Sequence, residues 1–251
     1  MTENAGAIVS LRGVGKTFES GTVALAGLDL AVTEGEFVSL LGPSGCGKST
    51  ALRIIAGLSE ASAGVVERAA GDIGFVFQDP TLMPWASVAD NVLLPFKLGT
   101  AEKTGAHTAV TRALARVGLA EFADAFPREL SGGMRMRASI ARALVTEPRL
   151  LLMDEPFASL DEITRFKLNN DLLGVWQELR RTVIFVTHSV FESVYLSQRI
   201  LVMTPRPGRI FAEIAIPAAY PRDERFRTSA EYAGFCRQVS EALGKAMAAA
   251  P

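Results

Sequence analysis

The segment that most constrains this chain is a glycine-rich loop of fixed spacing between an apolar strand and a helix. The loop consists of Gly42, Pro43, Ser44, Gly45, Cys46, Gly47, Lys48 and Ser49, and Thr50 follows it. Residues 36–41 read as a buried strand, and the apolar residues up to Gly57 predict a short helix with a glycine stop. In that context backbone N–H groups can wrap a phosphate, and the helix N-terminus adds a favourable dipole. The sequence therefore predicts an α/β fold that binds a nucleoside triphosphate.

Three side chains of this phosphate loop (residues 42–50) have distinct expected roles. Lys48 supplies a point charge to the β and γ phosphates, Ser49 offers its hydroxyl to Mg²⁺, and Thr50 bonds the α-phosphate. The alternative interpretation is a glycine-rich turn that matches the spacing by chance. The motif alone also leaves kinases, GTPases and other motors open, so the function has to be argued from the rest of the chain.

A pair of carboxylates follows a second apolar strand. Residues 150–153 are Leu-Leu-Leu-Met, and Asp154 and Glu155 come directly after them. Neighbouring side chains on a strand point opposite ways, so Asp154 is predicted to hold Mg²⁺ through a water and Glu155 to polarise the attacking water. An acidic turn that merely closes a buried strand is the alternative.

One of the two histidines also follows an apolar strand. His188 comes after residues 183–187, at the carboxyl edge where a parallel sheet binds ligands. It is predicted to hydrogen-bond the γ-phosphate and to orient Glu155 or the water, although a lone histidine is more often structural. His107 lies in a polar stretch and is predicted to be a surface residue.

A second glycine-rich segment predicts another anion site. Ser131, Gly132 and Gly133 precede a helix, with Ser131 as a natural N-cap, so the helix start presents free N–H groups to an anion. One nucleotide has one γ-phosphate, which the first loop already surrounds. We therefore expect this site to meet the phosphate bound to another copy of the chain.

The remaining pattern predicts the fold around these motifs. Residues 8–32 indicate short antiparallel strands, and the short apolar segments around 150–153 and 183–186 are typical of a mostly parallel sheet. Residues 82–147 are predicted to form an inserted helical subdomain. The ATPase domain is placed at residues 1–220, and residues 221–251 read as a helical tail.

Charge and hydropathy exclude several function classes. The 26 basic and 27 acidic residues leave a net charge of −1, which gives no attraction to nucleic acid. The apolar runs are far shorter than the roughly 20 residues of a spanning helix, so any membrane role is expected to go through a partner.

The two cysteines are too few for a disulfide framework. Oxidation of Cys46 beside the phosphates would block binding, but a small residue in a tight loop is the simpler interpretation.

Together these motifs resemble the ABC ATPase family, in order, over roughly residues 8–210. The segment Leu130-Ser131-Gly132-Gly133-Met134 is similar to the family signature, and Ser159-Leu160-Asp161 to the loop through which paired sites communicate. The resemblance implies that Gln78 contacts Mg²⁺ and water, that His188 is the switch histidine, and that Phe18 stacks on adenine. Met134 and Met136 stand where glutamine is common in the broad family. This difference puts the rate of ATP hydrolysis, or the coupling across the interface between the two chains, in doubt.

A closer resemblance is to the importer ATPases of the nitrate, sulfonate and taurine group, which also serves pyrimidine-type precursors. The resembling segments are residues 82–85 (LMPW), 156–161 (PFASLD) and 203–210 (MTPRPGRI). This implies a homodimer with ATP and Mg²⁺ at its interface, an integral membrane permease, and indirectly an extracytoplasmic solute-binding protein. It also implies a peripheral location on the cytoplasmic face of the inner membrane.

Two rival functions stay open on the residues alone. A soluble ABC protein of DNA repair or translation would show coiled-coil insertions or two cassettes, neither of which is evident. A P-loop kinase or a non-hydrolysing ATP-binding module leaves Ser131, Gly132 and Gly133 unexplained.

Trp85 carries the prediction about the permease. It follows Gln78 on a loop flanked by Pro80 and Pro84, and an exposed tryptophan there predicts part of a groove for a short permease helix. The alternative is that Trp85 packs into the core of the helical subdomain.

Overall fold

The structure is a computed structural model that describes residues 6–69, 71–99 and 104–249. Its strands are β1 (Ala7–Thr17), β2 (Val23–Thr33), β3 (Phe37–Leu41), β4 (Ala63–Arg68), β5 (Ile73–Val76), β6 (Leu150–Asp154), β7 (Thr182–Thr187), β8 (Arg199–Met203) and β9 (Ile210–Ala215). Its α-helices are α1 (Lys48–Ala56), α2 (Val88–Lys97), α3 (Ala106–Arg116), α4 (Gly132–Leu144), α5 (Glu162–Leu179), α6 (Val190–Leu196), α7 (Glu224–Arg227) and α8 (Ala230–Ala248). Two 3₁₀ turns cover Ala120–Phe122 and Pro127–Glu129.

The described chain forms two compact units. The first unit combines residues 6–69 with residues 182–249, and the second is the continuous segment Gly71–Arg181 inserted between them in the sequence. The predicted helical subdomain at residues 82–147 falls within the second unit. The predicted outer limits at residues 1 and 251 lie outside the described residues, and a boundary at residue 220 stays a prediction.

The first unit contains antiparallel and parallel strands, as predicted. Strand β1 pairs antiparallel with β2 and β4, while β3 lies parallel between β7 and β8, and β9 joins β8 antiparallel. All residues of β3 and β7 are buried, which explains why their sequences are almost wholly apolar. The helical prediction after the phosphate loop is also confirmed, because Gly57 ends α1 in a left-handed conformation.

The second unit consists of parallel strands β5 and β6 with the helices between and after them. Helix α2 packs on α3 and α4, which confirms the inserted helical subdomain and the predicted fold class. Helix α2 contains Pro95, a residue that usually interrupts a helix interior. On α5, Trp176 is buried, whereas Ile163 is 82% exposed.

A buried arginine ties the C-terminal segment to the first unit. Arg222 donates hydrogen bonds to five backbone carbonyls, those of Val194, Tyr195, Ser197, Ile216 and Ala218. Helix α8 then packs on α6 and β8. Among the helices of the described ranges, none is both long and apolar enough to traverse a bilayer.

Candidate active site

The phosphate loop has a backbone shape that requires glycine. Gly47 has φ of 102°, and a Cβ there would lie 2.7 Å from Leu25 Cδ2 and 2.8 Å from the Ala24 carbonyl oxygen. Gly45 has φ of 76°. An L side chain rarely adopts these conformations, so the spacing of glycines in the sequence corresponds to a real steric need. Both positions therefore need glycine, and phosphate binding by this loop stays a prediction.

Lys48 lies within the curve of this loop. It is the first residue of α1, is 3% exposed, and donates from Nζ to the carbonyls of Gly42 at 2.8 Å and Pro43 at 3.0 Å. A buried ammonium needs hydrogen-bond acceptors, and the loop carbonyls supply them. Phosphate oxygens are stronger acceptors for the same group. The contact of this ammonium with the β and γ phosphates stays a prediction.

The first unit also contains Phe18 and His188. Phe18 is 44% exposed after β1, and Lys16 Nζ lies over its ring, 5.6 Å from the ring centre. His188 is exposed directly after β7. The preceding Thr187 donates to the buried carboxylate of Glu192 at 2.5 Å and accepts from the Ser189 N–H at 3.0 Å, which fixes the backbone around His188.

The carboxylate pair lies at the end of a buried strand in the second unit. Asp154 is the last residue of β6 and is buried, while Glu155 follows it half-buried with φ of 45°. A non-glycine residue in the left-handed region costs on the order of 1–3 kcal/mol and persists only where the surroundings impose it. The separate roles predicted for Asp154 and Glu155 stay predictions.

The 131–134 segment begins α4 in the predicted way, with one difference. The Ser131 hydroxyl accepts from the Met134 N–H at 3.3 Å and is the N-cap of α4. A Cβ on Gly133 would lie 2.8 Å from Thr164 Cγ2, so Gly133 is needed for packing against α5. The sequence interpretation gave both glycines the task of clearing an anion's approach, and the structure adds this steric reason. Met136, which also stands where the broad family commonly has glutamine, is a buried core residue of α4.

Asp161 begins the neighbouring helix. It is exposed and accepts from the Thr164 N–H at 2.9 Å as the N-cap of α5. Its hydrogen bond with the Thr164 side chain is the main reason that the pKa of the Asp161 carboxyl lies below its usual value. The carboxylate is therefore ionised and available on the surface near neutral pH.

The chain after Gln78 is fastened by an arginine that the sequence prediction missed. Gln78 is exposed just beyond β5. Arg142 of α4 donates to the carbonyl oxygens of Thr81 at 2.9 Å and Pro80 at 2.8 Å, and burial lowers its pKa from the usual value. These bonds hold the loop to the helix that begins at Ser131.

Trp85 is exposed on the same loop, so the core alternative is wrong. The tryptophan is 76% exposed. Beneath it, the fully buried Asn91 accepts from the Met83 N–H at 2.7 Å and donates to the carbonyls of Ala86 and Ser87 at 3.2 and 2.9 Å. A large aromatic side chain is thus presented to solvent on a loop whose backbone is tightly bonded.

The predicted site residues divide between the two units. Residues 42–50, Phe18 and His188 belong to the first unit, and Gln78, Asp154, Glu155, the 131–134 segment and Asp161 belong to the second.

The donor atoms predicted for Mg²⁺ are the Ser49 hydroxyl, the Gln78 amide oxygen and the Asp154 carboxylate. Oxygen donors of this kind fit Mg²⁺.

Sequence reasoning missed three residues that support these elements: Arg142, Asn91 and Arg206. Each acts through hydrogen bonds to backbone atoms. Arg142 reaches carbonyls 61 and 62 residues away and Arg206 reaches the Gly45 carbonyl 161 residues away, whereas Asn91 bonds residues four to eight positions before it. Of the three, only Arg206 lies in a segment that the sequence analysis had already noted, residues 203–210, which resemble the importer ATPases.

Comparison with known proteins agrees with this geometry. The family model described as "ABC transporter" matches residues 25–158. The aliphatic sulfonates import ATP-binding protein SsuB 1 of Pseudomonas syringae pv. syringae is 46% identical over 218 residues, covering 87% of this chain and 90% of the relative. An uncharacterized ABC transporter ATP-binding protein of Methanocaldococcus jannaschii is 46% identical over 227 residues, covering 88% and 84%.

Solved structures give the same assignment. CbiO1 from Clostridium perfringens, part of the ABC transporter complex cbiONQ, is 29% identical with a TM-score of 0.76, covering 84% of this chain and 89% of that one. A dimeric ATP-binding cassette in a post-hydrolysis state bound to ADP and Pi is 32% identical with a TM-score of 0.71, covering 84% and 100%. With the phosphate loop, the carboxylate pair and the capped 131–134 helix already in place, the chain belongs to the ABC transporter family and is one of its ATPases.

Proposed function

We propose that this ATPase energises the import of a small solute through a separate membrane permease. The observation that carries the proposal is the exposed Trp85, because a tryptophan presented to solvent on a tightly bonded loop is suited to a protein partner. The relative named as an aliphatic sulfonates importer subunit supports the direction of transport.

In the proposed reaction, water attacks the γ-phosphate of ATP in line with the departing ADP. The phosphate loop binds the β-phosphate through backbone N–H groups, and Lys48 neutralises charge on the β and γ oxygens. Glu155 polarises the water, His188 orients it, and Gln78 contacts it. Phe18 stacks on the adenine. Mg²⁺, held by Ser49, Gln78 and Asp154, would add positive charge where negative charge develops.

The proposal includes a homodimer in which each 131–134 segment completes the partner's site. The N-terminus of α4 carries a partial positive charge, and Ser131 is exposed there. A second copy could therefore bring its bound γ-phosphate to this helix start. The solved dimeric cassette with ADP and Pi supports the arrangement. Asp161 would then pass the state of one site to the other.

The proposed permease contact is made by the loop around Trp85. Arg142 and Asn91 fasten this loop, so a displacement at Gln78 would be transmitted to Trp85 with little loss. The ATPase would then lie on the cytoplasmic face of the inner membrane through the permease, which receives solute from an extracytoplasmic binding protein. The proposed solute is nitrate, a sulfonate, taurine or a pyrimidine precursor.

Exchanging the tryptophan tests the proposal. Trp85→Ala should fold normally and bind ATP like the parent, because the side chain is exposed, but it should no longer co-purify with the permease or support uptake. Neighbouring genes would first be searched for a permease, the chain would be co-expressed with it, and uptake of labelled taurine, alkanesulfonate, nitrate and a pyrimidine precursor would be measured.

Met247→Ala is the matched control, because Met247 is another exposed apolar residue, on α8 of the first unit. It should behave like the parent. Normal uptake by Trp85→Ala would remove Trp85 from coupling, and absence of any permease contact by the parent would favour a soluble ATPase.

A further inference from the structure

A short loop between β8 and β9 has its own closed shape. In the 204–209 loop, the Thr204 N–H donates to the Arg209 carbonyl at 3.0 Å, and the Arg209 N–H donates back to Thr204 Oγ1 at 3.1 Å. The Thr204 hydroxyl also donates to the Pro207 carbonyl at 3.1 Å. With Pro205 and Pro207 restricting the backbone, the loop is stiff without outside support.

Gly208 holds the 204–209 loop against β2 and against the phosphate loop of the first unit. Its N–H donates to the Ala24 carbonyl at 2.9 Å, and its carbonyl accepts from the Ala26 N–H at 3.2 Å. A Cβ at this position would lie 2.0 Å from the Cys46 carbonyl oxygen, so no side chain fits there. The two loops are therefore in backbone contact at Cys46.

Arg206 completes the contact one residue earlier in the phosphate loop. Its Nε and Nη2 atoms both lie 3.2 Å from the carbonyl oxygen of Gly45. On the other side of the same peptide, the Cys46 N–H donates to the Pro43 carbonyl at 3.3 Å. Both polar atoms of the Gly45–Cys46 peptide are thus held, one of them by a side chain from 161 residues away.

We propose that Arg206 is a positioning residue that fixes the Gly45–Cys46 peptide and keeps the phosphate loop in its nucleotide-receiving shape. Gly45 is conformationally free as a glycine, with φ of 76°, so the loop loses entropy when a nucleotide orders it. A guanidinium that holds the peptide beforehand removes part of that cost. The inference rests on the proposed ATP site and adds a residue to it.

This role differs from simple charge attraction in a measurable way. Because Arg206 acts through the loop, its loss should weaken ADP and ATP alike. A direct contact with the γ-phosphate would affect ATP alone. Arg209 offers a matched control, since it is equally exposed in the same loop and its described hydrogen bonds are made by its backbone.

The experiment titrates the purified chain with fluorescent ATP and ADP analogues and measures steady-state hydrolysis. Arg206→Ala should bind both nucleotides about three- to tenfold more weakly, with KM raised and kcat unchanged at saturating ATP. Arg206→Lys should recover part of the affinity, because it restores a single donor. Arg209→Ala should remain at the parental affinity, and thermal melting should show all variants folded.

Each other outcome has a defined meaning. Equal losses in Arg206→Ala and Arg209→Ala, a loss for ATP alone, or no loss at all would overturn the positioning role. Lys48→Ala serves as the reference for the site itself. If the parent fails to bind ATP, or Lys48→Ala binds it equally well, the proposed function fails, and this result is distinct from a failure confined to Arg206.

Discussion

The chain contains two glycine-rich helix starts, and they are built differently. At the start of α1, Gly47 has φ of 102° and no side chain caps the helix. At the start of α4, the Ser131 side chain caps the helix by accepting from the Met134 N–H. A side chain thus satisfies one backbone N–H of the first turn at the second start, whereas no side chain caps the first.

The glycines of the two starts also serve different ends. Gly47 is required by its left-handed backbone and by the Ala24 carbonyl at 2.8 Å from a Cβ. Gly133 is required because a Cβ would meet Thr164 Cγ2 at 2.8 Å. Similar composition therefore meets a backbone need of the loop in one unit and a packing need of the helix start in the other. Three experiments test this contrast.

The largest effect is expected from Glu155→Gln, which should slow hydrolysis while leaving ATP binding, the task proposed for the two helix starts, unchanged. The amide keeps the shape and loses the base, so turnover should fall about 10²- to 10⁴-fold while ATP affinity is retained. Single-turnover hydrolysis and size-exclusion chromatography with ATP would measure the loss and a stable ATP-dependent dimer. Glu162→Gln, an exposed carboxylate in the first turn of α5, is the control. Turnover at the parental rate would remove Glu155 from its assigned role.

A mixed dimer tests whether the α4 start works in trans. Ser131→Arg and Lys48→Ala should each be inactive alone, since neither homodimer has an intact site. Their mixture should regain ATPase activity, because heterodimers contain one site with an intact phosphate loop and an intact 131–134 segment. Mass spectrometry would confirm the heterodimers. If they form without recovery, either the sites are not composite or both must act together.

The smallest effect concerns the reason for Gly133. Gly133→Ala should lower the free energy of unfolding by about 1–3 kcal/mol through overpacking against Thr164. The double variant with Thr164→Ser removes the methyl group, keeps the hydroxyl and should restore most of the stability. Urea unfolding would compare them. Gly47→Ala should resist any such rescue, because the conflict there is with backbone.

Much of the fold could be predicted because buried parallel strands leave an apolar record in the sequence. Strands β3, β6 and β7 follow from their runs of Leu, Val, Ile and Phe. Strand β4 is almost entirely exposed and left no such record. In the first turn of α5, apolar Ile163 is exposed, so an apolar residue at helical spacing does not by itself identify a buried face.

The candidate site shows the same limit. The phosphate loop and the carboxylate pair could be located because their spacing reflects local chemistry. The residues that support them could not be found in the same way: Arg142 reaches Pro80 from 62 residues away, and Arg206 reaches Gly45 from 161 away. Every residue carries a backbone carbonyl, so a side chain that donates to one requires no particular residue type at the accepting position. Such bonds therefore leave no pair of matching residues in the sequence. The roles of the site residues stay predictions.

The divided first unit has a consequence for the order in which the chain is made. Strand β3 is flanked on both edges by β7 and β8, which leave the ribosome long after it. Gly71–Arg181 is continuous and can begin to fold during translation. The apolar residues of β3, however, must wait without partners until synthesis is nearly complete. We expect the nascent chain to depend on chaperone protection of this strand during that interval.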